Sequence, residues 1–317
     1  MKRLIFDEDH DMFRDATRRF MQAEVEPHVE RWRKAGICDK EAFLKAGKQG
    51  LLCMWAGEEY GGAGIEDFRF EQVIIEETLR HGDLGLFLTL HSRLVGPYIG
   101  GLGSEALKAR VMPKAVSGET ILGIALTEPG AGSDLAGIKA RAVRDGDDWI
   151  ISGSKTYISN GINGDAFVVA ARSVPGKPHG IGLFVVEAGM EGFSRGRNLA
   201  KMGLKAQDTA ELFFDNVRVP AENVLGDPER GFYSLMHYLA EERLISACQE
   251  IAHAQVAFDL TLDYIRVRKA FGTPIGAFQN IRFKMAEMRS AMDVRQTFID
   301  QCVLLHNKGE LSADLAA

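Results

Sequence analysis

Between Ile121 and Val219 the chain carries six short β-branched or aromatic runs: ILGIALT, IKARAVR, WIISG, AFVVAAR, IGLFVVE and ELFFDNV. Turn residues separate them and no helical pattern intervenes. Strands that follow one another without crossover helices pair mostly with sequence neighbours, so this stretch predicts a small antiparallel β-barrel or sandwich. Asp145-Gly146, between the second and third runs, marks a hairpin of the type I′ kind, which needs positive φ at both central residues.

The flanks follow another period. Phe13, Ala16, Thr17 and Phe20 share one helical stripe, and Phe70, Val73 and Ile74 share another, with Glu77 at its edge. Gly50 and Gly82 stand where a C′ glycine ends a helix, and Ser104 stands where an N-cap begins one. After Gly231, Leu235, Leu239, Leu244, Cys248, Ile251 and Phe258 stripe a long helix, and Ile281, Met285, Met288, Met292 and Ile299 stripe the next. The three methionines of that stripe are expected in the core. The fold expected is α+β and multidomain: an N-terminal all-α domain (1–120), an antiparallel β-barrel domain (121–229) and a C-terminal helical bundle (230–317).

Composition excludes several functions. The formal net charge of −6 offers no field for nucleic acid or an anionic membrane. Cys38, Cys53, Cys248 and Cys302 form no CxxC pair, which fits a reducing compartment. The start, MKRLIFDEDH, turns acidic before any apolar h-region, and the run near Leu84 to Leu90 is too short for a membrane span, so a cytoplasmic protein is expected. The eight histidines contain no HExxH and no ligand spacing, so no metal is expected.

The segment ALTEPGAGSDLAG, Ala125 to Gly137, follows an apolar run and sets Pro129, Gly130 and Gly132 among Thr127, Ser133 and Asp134. Glycines let backbone amides approach a ligand, and hydroxyls add donors, so such a loop can cradle a pyrophosphate. It is neither a Rossmann fingerprint, since Leu135 holds the third glycine position, nor a P-loop. Read from the residues alone, a plain turn and a phosphate site both remain open.

This segment also resembles the signature of the acyl-CoA dehydrogenase family at every constrained position. EEYGGAG at 58–64, KTYISNG at 155–161 and RKAFG at 268–272 follow in the family's order, so the resemblance covers essentially the whole chain. It implies an α–β–α enzyme with non-covalent FAD that oxidises a saturated acyl-CoA to a trans-2-enoyl-CoA in fatty-acid or branched-acyl catabolism. It further implies electron-transfer flavoprotein as acceptor and a homo-oligomer, a dimer of dimers. Leu126 and Thr127 would meet the flavin through their backbone, and Gly132 and Ser133 would lie near the phosphates, Ser133 also near the substrate. Tyr157, Ile158 and Ser159 would border the flavin ring, with Tyr157 where many relatives have Trp and Ser159 where many have Thr. Arg268, Phe271 and Gln279 are implied contacts to the FAD of a neighbouring subunit, although Arg268 also reads simply as a cation at a helix C-terminus.

Glu242 falls three residues after Leu239 and seven after Leu235, on a helix face shared with two leucines. A carboxylate there reads as a half-exposed helix residue facing Ser246 or as a base. The resemblance favours the base, because the long-chain and isovaleryl types carry theirs at this position, directly before an arginine. KMGLKAQDTAELFF at 201–214 resembles the long-chain type more than the isovaleryl type. Glu242 would then take the α-proton while the β-hydride passes to flavin, with Tyr233 and Arg243 lining the thioester end. The family's later Gln-x-x-Gly-Gly motif does not occur in these residues, so the sequence reads as an incomplete chain or a short form. Two rival readings are a flavin- or CoA-binding protein without dehydrogenase activity, and a serine hydrolase using Ser194 in Gly192-Phe-Ser-Arg-Gly196.

Overall fold

The computed structural model describes residues 3–81, 83 and 85–317. The helices are α1 (Glu8–Phe20), α2 (Val29–Ala35), α3 (Lys40–Lys48), α4 (Phe68–His81), α5 (Gly96–Leu102), α6 (Glu105–Ser117), α7 (Gly231–Val267), α8 (Gln279–Asn307) and α9 (Ala313–Ala316). The strands are β1 (Leu122–Ala125), β2 (Arg141–Asp145), β3 (Asp148–Ser159), β4 (Ala166–Arg172), β5 (Ile181–Glu187), β6 (Phe193–Arg195), β7 (Thr209–Val219), β8 (Val224–Leu225), β9 (Lys269–Ala270) and β10 (Thr273–Pro274). Contacts divide the chain into two compact units that do not follow sequence order: Gln22–Glu66 with Asp83–Leu239, and Met1–Met21 with Asp67–Gly82 and Ala240–Ala317. None of the described helices is long and apolar enough to cross a membrane. All four cysteines are free and buried.

The first unit holds the sheet. Strand order is β6-β7-β3-β2-β4-β5-β8, with β1 paired beside β4. The expected closed antiparallel barrel is not what forms. β1 and β2 both lie parallel to β4, and β2 meets it only at Arg141 opposite Arg172. Two antiparallel blocks therefore join at a narrow seam in an open sheet. Alternation within a run sets which face is buried, but closure depends on how the end strands meet, which the runs do not encode. β4 and β5 are buried along nearly their whole length. Ala166, Val168, Ala170, Leu183 and Val185 face one apolar cluster with residues of α5 and α6, while Phe167, Val169, Ala171, Phe184 and Val186 face the other. A strand covered on both faces needs the unbroken apolar run seen in AFVVAA and IGLFVV.

Local signals mostly behave as their chemistry dictates. Ser104 Oγ accepts the Leu107 amide at the start of α6, 3.1 Å. Gly50, with φ of 74°, stands just past α3. Gly82 lies outside the described residues. Asp145 pairs with Asp148, so the hairpin turn is Gly146-Asp147, with positive φ at Gly146 only. That is the II′ pattern rather than I′.

The second unit packs α1 and α8 on α4. Arg3 holds Asp300 through Nε (2.8 Å) and Nη2 (2.6 Å) and Glu76 through Nη1 (2.6 Å). Glu77, expected at a stripe edge, is only 1% exposed and accepts from Arg14 and Arg18, which supply the partners a buried carboxylate requires. Met285 and Met292 are buried as expected, but Met288 is 45% exposed, because at about 100° per residue it falls about 60° from Met285, at the edge of the buried stripe, whereas Met292 falls only about 20° away.

Candidate active site

In the sheet-bearing unit, β1 leads directly into the glycine-rich loop. The Leu122 amide donates to Nδ1 of buried His91, 3.0 Å, whose Nε2 bonds the Ala115 carbonyl, 2.9 Å, so a neutral imidazole ties β1 to α6. Burial pushes the His91 pKa down to about 4, against the raising effects of the Ala115 carbonyl and Asp165. Glu128 and Ala131 exchange backbone hydrogen bonds (2.9 and 3.1 Å), pinching Pro129-Gly130 into an exposed tip. A Cβ on Gly130 or Gly132 would meet nothing within 4 Å, and neither residue has positive φ. The protein itself therefore does not require glycine at these positions. Glycines that neither a turn nor crowding explains, beside exposed Ser133, fit a loop that lets an external group approach its backbone.

The same edge carries an aromatic. β3 alternates inward at Trp149, Ile151 and Lys155, then bulges between Lys155 and Ile158. Tyr157 sits in the bulge with φ of 58°, costly for a bulky residue, and is 70% exposed. Its neighbours are fixed: the Thr156 amide donates to the Thr127 carbonyl at 2.9 Å, and Ser159 pairs with Thr209. The Ile158 side chain is buried in the core, so only its backbone can reach a bound group. An exposed ring held in a strained conformation beside an open glycine loop, with hydroxyl donors at Thr127, Ser133 and Ser159, fits a flat aromatic cofactor bearing phosphates.

Elsewhere in this unit, Phe232 stacks on His179 at 4.3 Å, and Tyr233, 54% exposed, meets Phe232 edge-on with the Arg230 guanidinium 5.6 Å from its ring. Ser194 lies on β6 and no helix follows it, so it is not on a nucleophile elbow. The hydrolase reading fails on geometry.

In the second unit, Glu242 is half-buried on α7. Ser246 Oγ donates to its backbone carbonyl at 3.0 Å, so Ser246 contacts the main chain of Glu242. Adjacent Glu241 bonds His306 of α8, Oε2 to Nε2 at 3.2 Å, while Arg243 is exposed. Arg268 and Gln279 are exposed. Between them β9 and β10 form a hairpin whose turn residues, Phe271 and Gly272, have φ of 51° and 77°, and Phe271 is 97% exposed. Among the described residues no cluster of three acidic, histidine or cysteine side chains could hold a metal.

Sequence reasoning missed His91 and the buried pair of Lys155 with Glu128. A signal for the latter existed, since the two-residue period from Trp149 and Ile151 carries Lys155 to the inward face.

Models of the acyl-CoA dehydrogenase N-terminal, middle and C-terminal domains match residues 7–119, 123–217 and 229–317. The chain belongs to the acyl-CoA dehydrogenase family. It is 44% identical over 318 residues to the long-chain specific acyl-CoA dehydrogenase, mitochondrial, of Sus scrofa, covering 99% of this chain and 74% of that protein. The crystal structure of acyl-CoA dehydrogenase from Geobacillus kaustophilus superposes with a TM-score of 0.94 at 46% identity, over 96% of this chain and 81% of that one. A glutaryl-CoA dehydrogenase from Mycobacterium smegmatis, in complex with FADH2, gives 0.89 at 27% identity, over 98% and 79%. This acyl-CoA dehydrogenase is thus an oxidoreductase of a flavoprotein family, and the reaction is dehydrogenation of an acyl-CoA.

Proposed function

We propose that this acyl-CoA dehydrogenase holds FAD non-covalently on the Leu126–Ser133 loop and Tyr157 and oxidises medium-to-long or methyl-branched saturated acyl-CoA. The observation that carries the reading is Tyr157, an exposed aromatic kept in a left-handed conformation beside glycines that open onto free space. Leu126, Thr127 and Ile158 offer backbone groups to the cofactor, Gly132 and Ser133 offer amides to its phosphates, and Ser159 offers a hydroxyl to the ring. Ser133, Tyr233 and Arg243 bind the thioester ligand.

Glu242 acts as base. Its carboxylate takes a proton from the α-carbon, and the electron pair left behind becomes the new C=C bond as the β-hydrogen departs with its electrons. When bound, FAD supplies the hydride acceptor, and electron-transfer flavoprotein is the onward acceptor. Glu242 is half-buried, so an apolar acyl chain that displaces water around it strengthens its interaction with the reacting carbon. The 44% identity to a long-chain specific acyl-CoA dehydrogenase supports the longer end of this substrate range.

The exposed Phe271 hairpin with Arg268 and Gln279 suits contact with another copy of the chain and its FAD, making the enzyme a homo-oligomer. Its three sequence domains span 1–120, 121–229 and 230–317. Four free, buried thiols suit a reducing compartment, which cytoplasm and mitochondrial matrix both provide.

The test is anaerobic bleaching of the flavin by a panel of saturated acyl-CoAs. Fastest bleaching by chains longer than four carbons, or by branched ones, supports the reading; a strict four-carbon optimum contradicts the substrate class.

A further inference from the structure

We propose that Lys155 is a positioning residue that holds the cofactor loop and the Tyr157 bulge in register, with Glu128 as its counterpart. The inference rests on reading this loop and Tyr157 as the FAD contact. Lys155 is 1% exposed and Glu128 8%. Lys155 Nζ donates to Glu128 Oε1 at 2.8 Å and to the Leu126 carbonyl at 3.0 Å. Glu128 in turn accepts the Lys139 amide on Oε2 at 2.7 Å and the Ala140 amide on Oε1 at 3.0 Å. One ammonium thus ties β3 to the end of β1, and one carboxylate ties that loop to the chain leading into β2. The ring closes between Leu126 and Glu128 on one side and Tyr157, two residues beyond Lys155, on the other.

Buried ion pairs add little stability over packed apolar side chains, so this pair has to be understood by what it fixes. It grips the two segments whose exposed atoms form the candidate cofactor edge. Burial lowers the Lys155 pKa, and Glu128 only partly offsets this. Burial alone would raise the Glu128 pKa, but Lys155 and the two amides hold it below the ordinary carboxylate range, so the carboxylate stays ionised. The loop is therefore preformed before any cofactor arrives, which removes an ordering cost from binding.

The experiment measures FAD affinity of the apoprotein by quenching of flavin fluorescence, with thermal stability in parallel. The proteins compared are the native chain, Lys155→Met, the charge-balanced Lys155→Met/Glu128→Gln, and Val217→Ala. Val217 pairs with Ile151 in the same sheet, is fully buried, and lies outside the bulged register between Lys155 and Ile158. Groups that orient the ligands of a metal typically change its affinity by about 10- to 100-fold when removed, and the same order is expected for a pair that orients the contacts of FAD. Both Lys155 variants are expected to bind FAD more weakly by that factor, whereas Val217→Ala loses stability with native affinity. Hydrogen exchange on the unmutated apoprotein covers a variant that fails to fold: the amides of Lys139, Ala140 and Thr156 are expected to be protected without FAD. Native FAD affinity in the double variant, or unprotected amides in the apoprotein, overturns the proposal. A native chain that binds no FAD at all overturns the cofactor reading instead.

Discussion

Lowering the pH should loosen the sheet-bearing unit through one residue, His91. Its ring is fully buried, with Nε2 on the Ala115 carbonyl and Nδ1 accepting the Leu122 amide. Protonation would give Nδ1 a hydrogen that points at another donor. The folded pKa lies at about 4 against 6.5 for a free imidazole, chiefly because burial disfavours the charged ring. As pH falls below 6.5 the unfolded chain takes up a proton that the folded chain refuses, so stability drops through the window from 6.5 to about 4. At about 1.4 kcal/mol per pH unit, the loss from this one group is about 3 kcal/mol. Carboxylates titrate in the same range, so the assay is a difference. Urea unfolding of native protein and His91→Gln is followed by tryptophan fluorescence across the window, since Trp32, Trp55 and Trp149 all lie in the unit that contains His91. At neutral pH the variant should be less stable by about 1–3 kcal/mol, from imperfectly paired groups at Ala115 and Leu122. That gap should close by about 3 kcal/mol as the medium acidifies. Parallel profiles for the two proteins would show that His91 does not carry the pH dependence.

Two further substitutions separate local strain and local charge from chemistry. Tyr157→Gly relieves a left-handed conformation worth about 1–2 kcal/mol while giving back about 0.5–1 kcal/mol of chain entropy, so apoprotein stability should hold or rise slightly. Its FAD affinity should fall by up to about tenfold through lost ring contact; lower stability with unchanged affinity would remove Tyr157 from the cofactor edge. Glu241→Gln breaks a partly exposed pair with His306 and should cost at most about 1 kcal/mol in urea unfolding, with flavin reduction close to native. A collapse of the reduction rate in that variant would shift the base from Glu242 to its neighbour.

The zones of helix and strand were legible because burial imposes period: 3.6 residues along α1, α4 and α7, and two along β3. Continuous apolar runs marked β4 and β5, which are covered on both faces. Sheet closure was not legible, because β6 and β8 are short and their pairing is set by tertiary contacts. Nor were the units: α1 and α4 group with the segment from Ala240 onward, an association that contact creates and local pattern does not announce. At the candidate site, the glycine loop could be read as a turn or a cradle from its residues, and the openness beside Gly130 and Gly132 argues for the cradle. The inward Lys155 followed from the two-residue period of β3, but its partner Glu128 lies on another segment, and the left-handed Tyr157 depends on a bulge, which inserts one residue without disturbing the strand pattern enough to be seen.

The most direct test of the account is single-turnover reduction of the enzyme-bound flavin in native protein and Glu242→Gln, mixed anaerobically with a saturated long-chain acyl-CoA. The substitution keeps shape and removes basicity, so both proteins should hold FAD and bind the thioester alike. The account predicts rapid bleaching in the native enzyme and a rate lower by about 100- to 10,000-fold in the variant. Equal bleaching rates would contradict it and place proton abstraction on another residue.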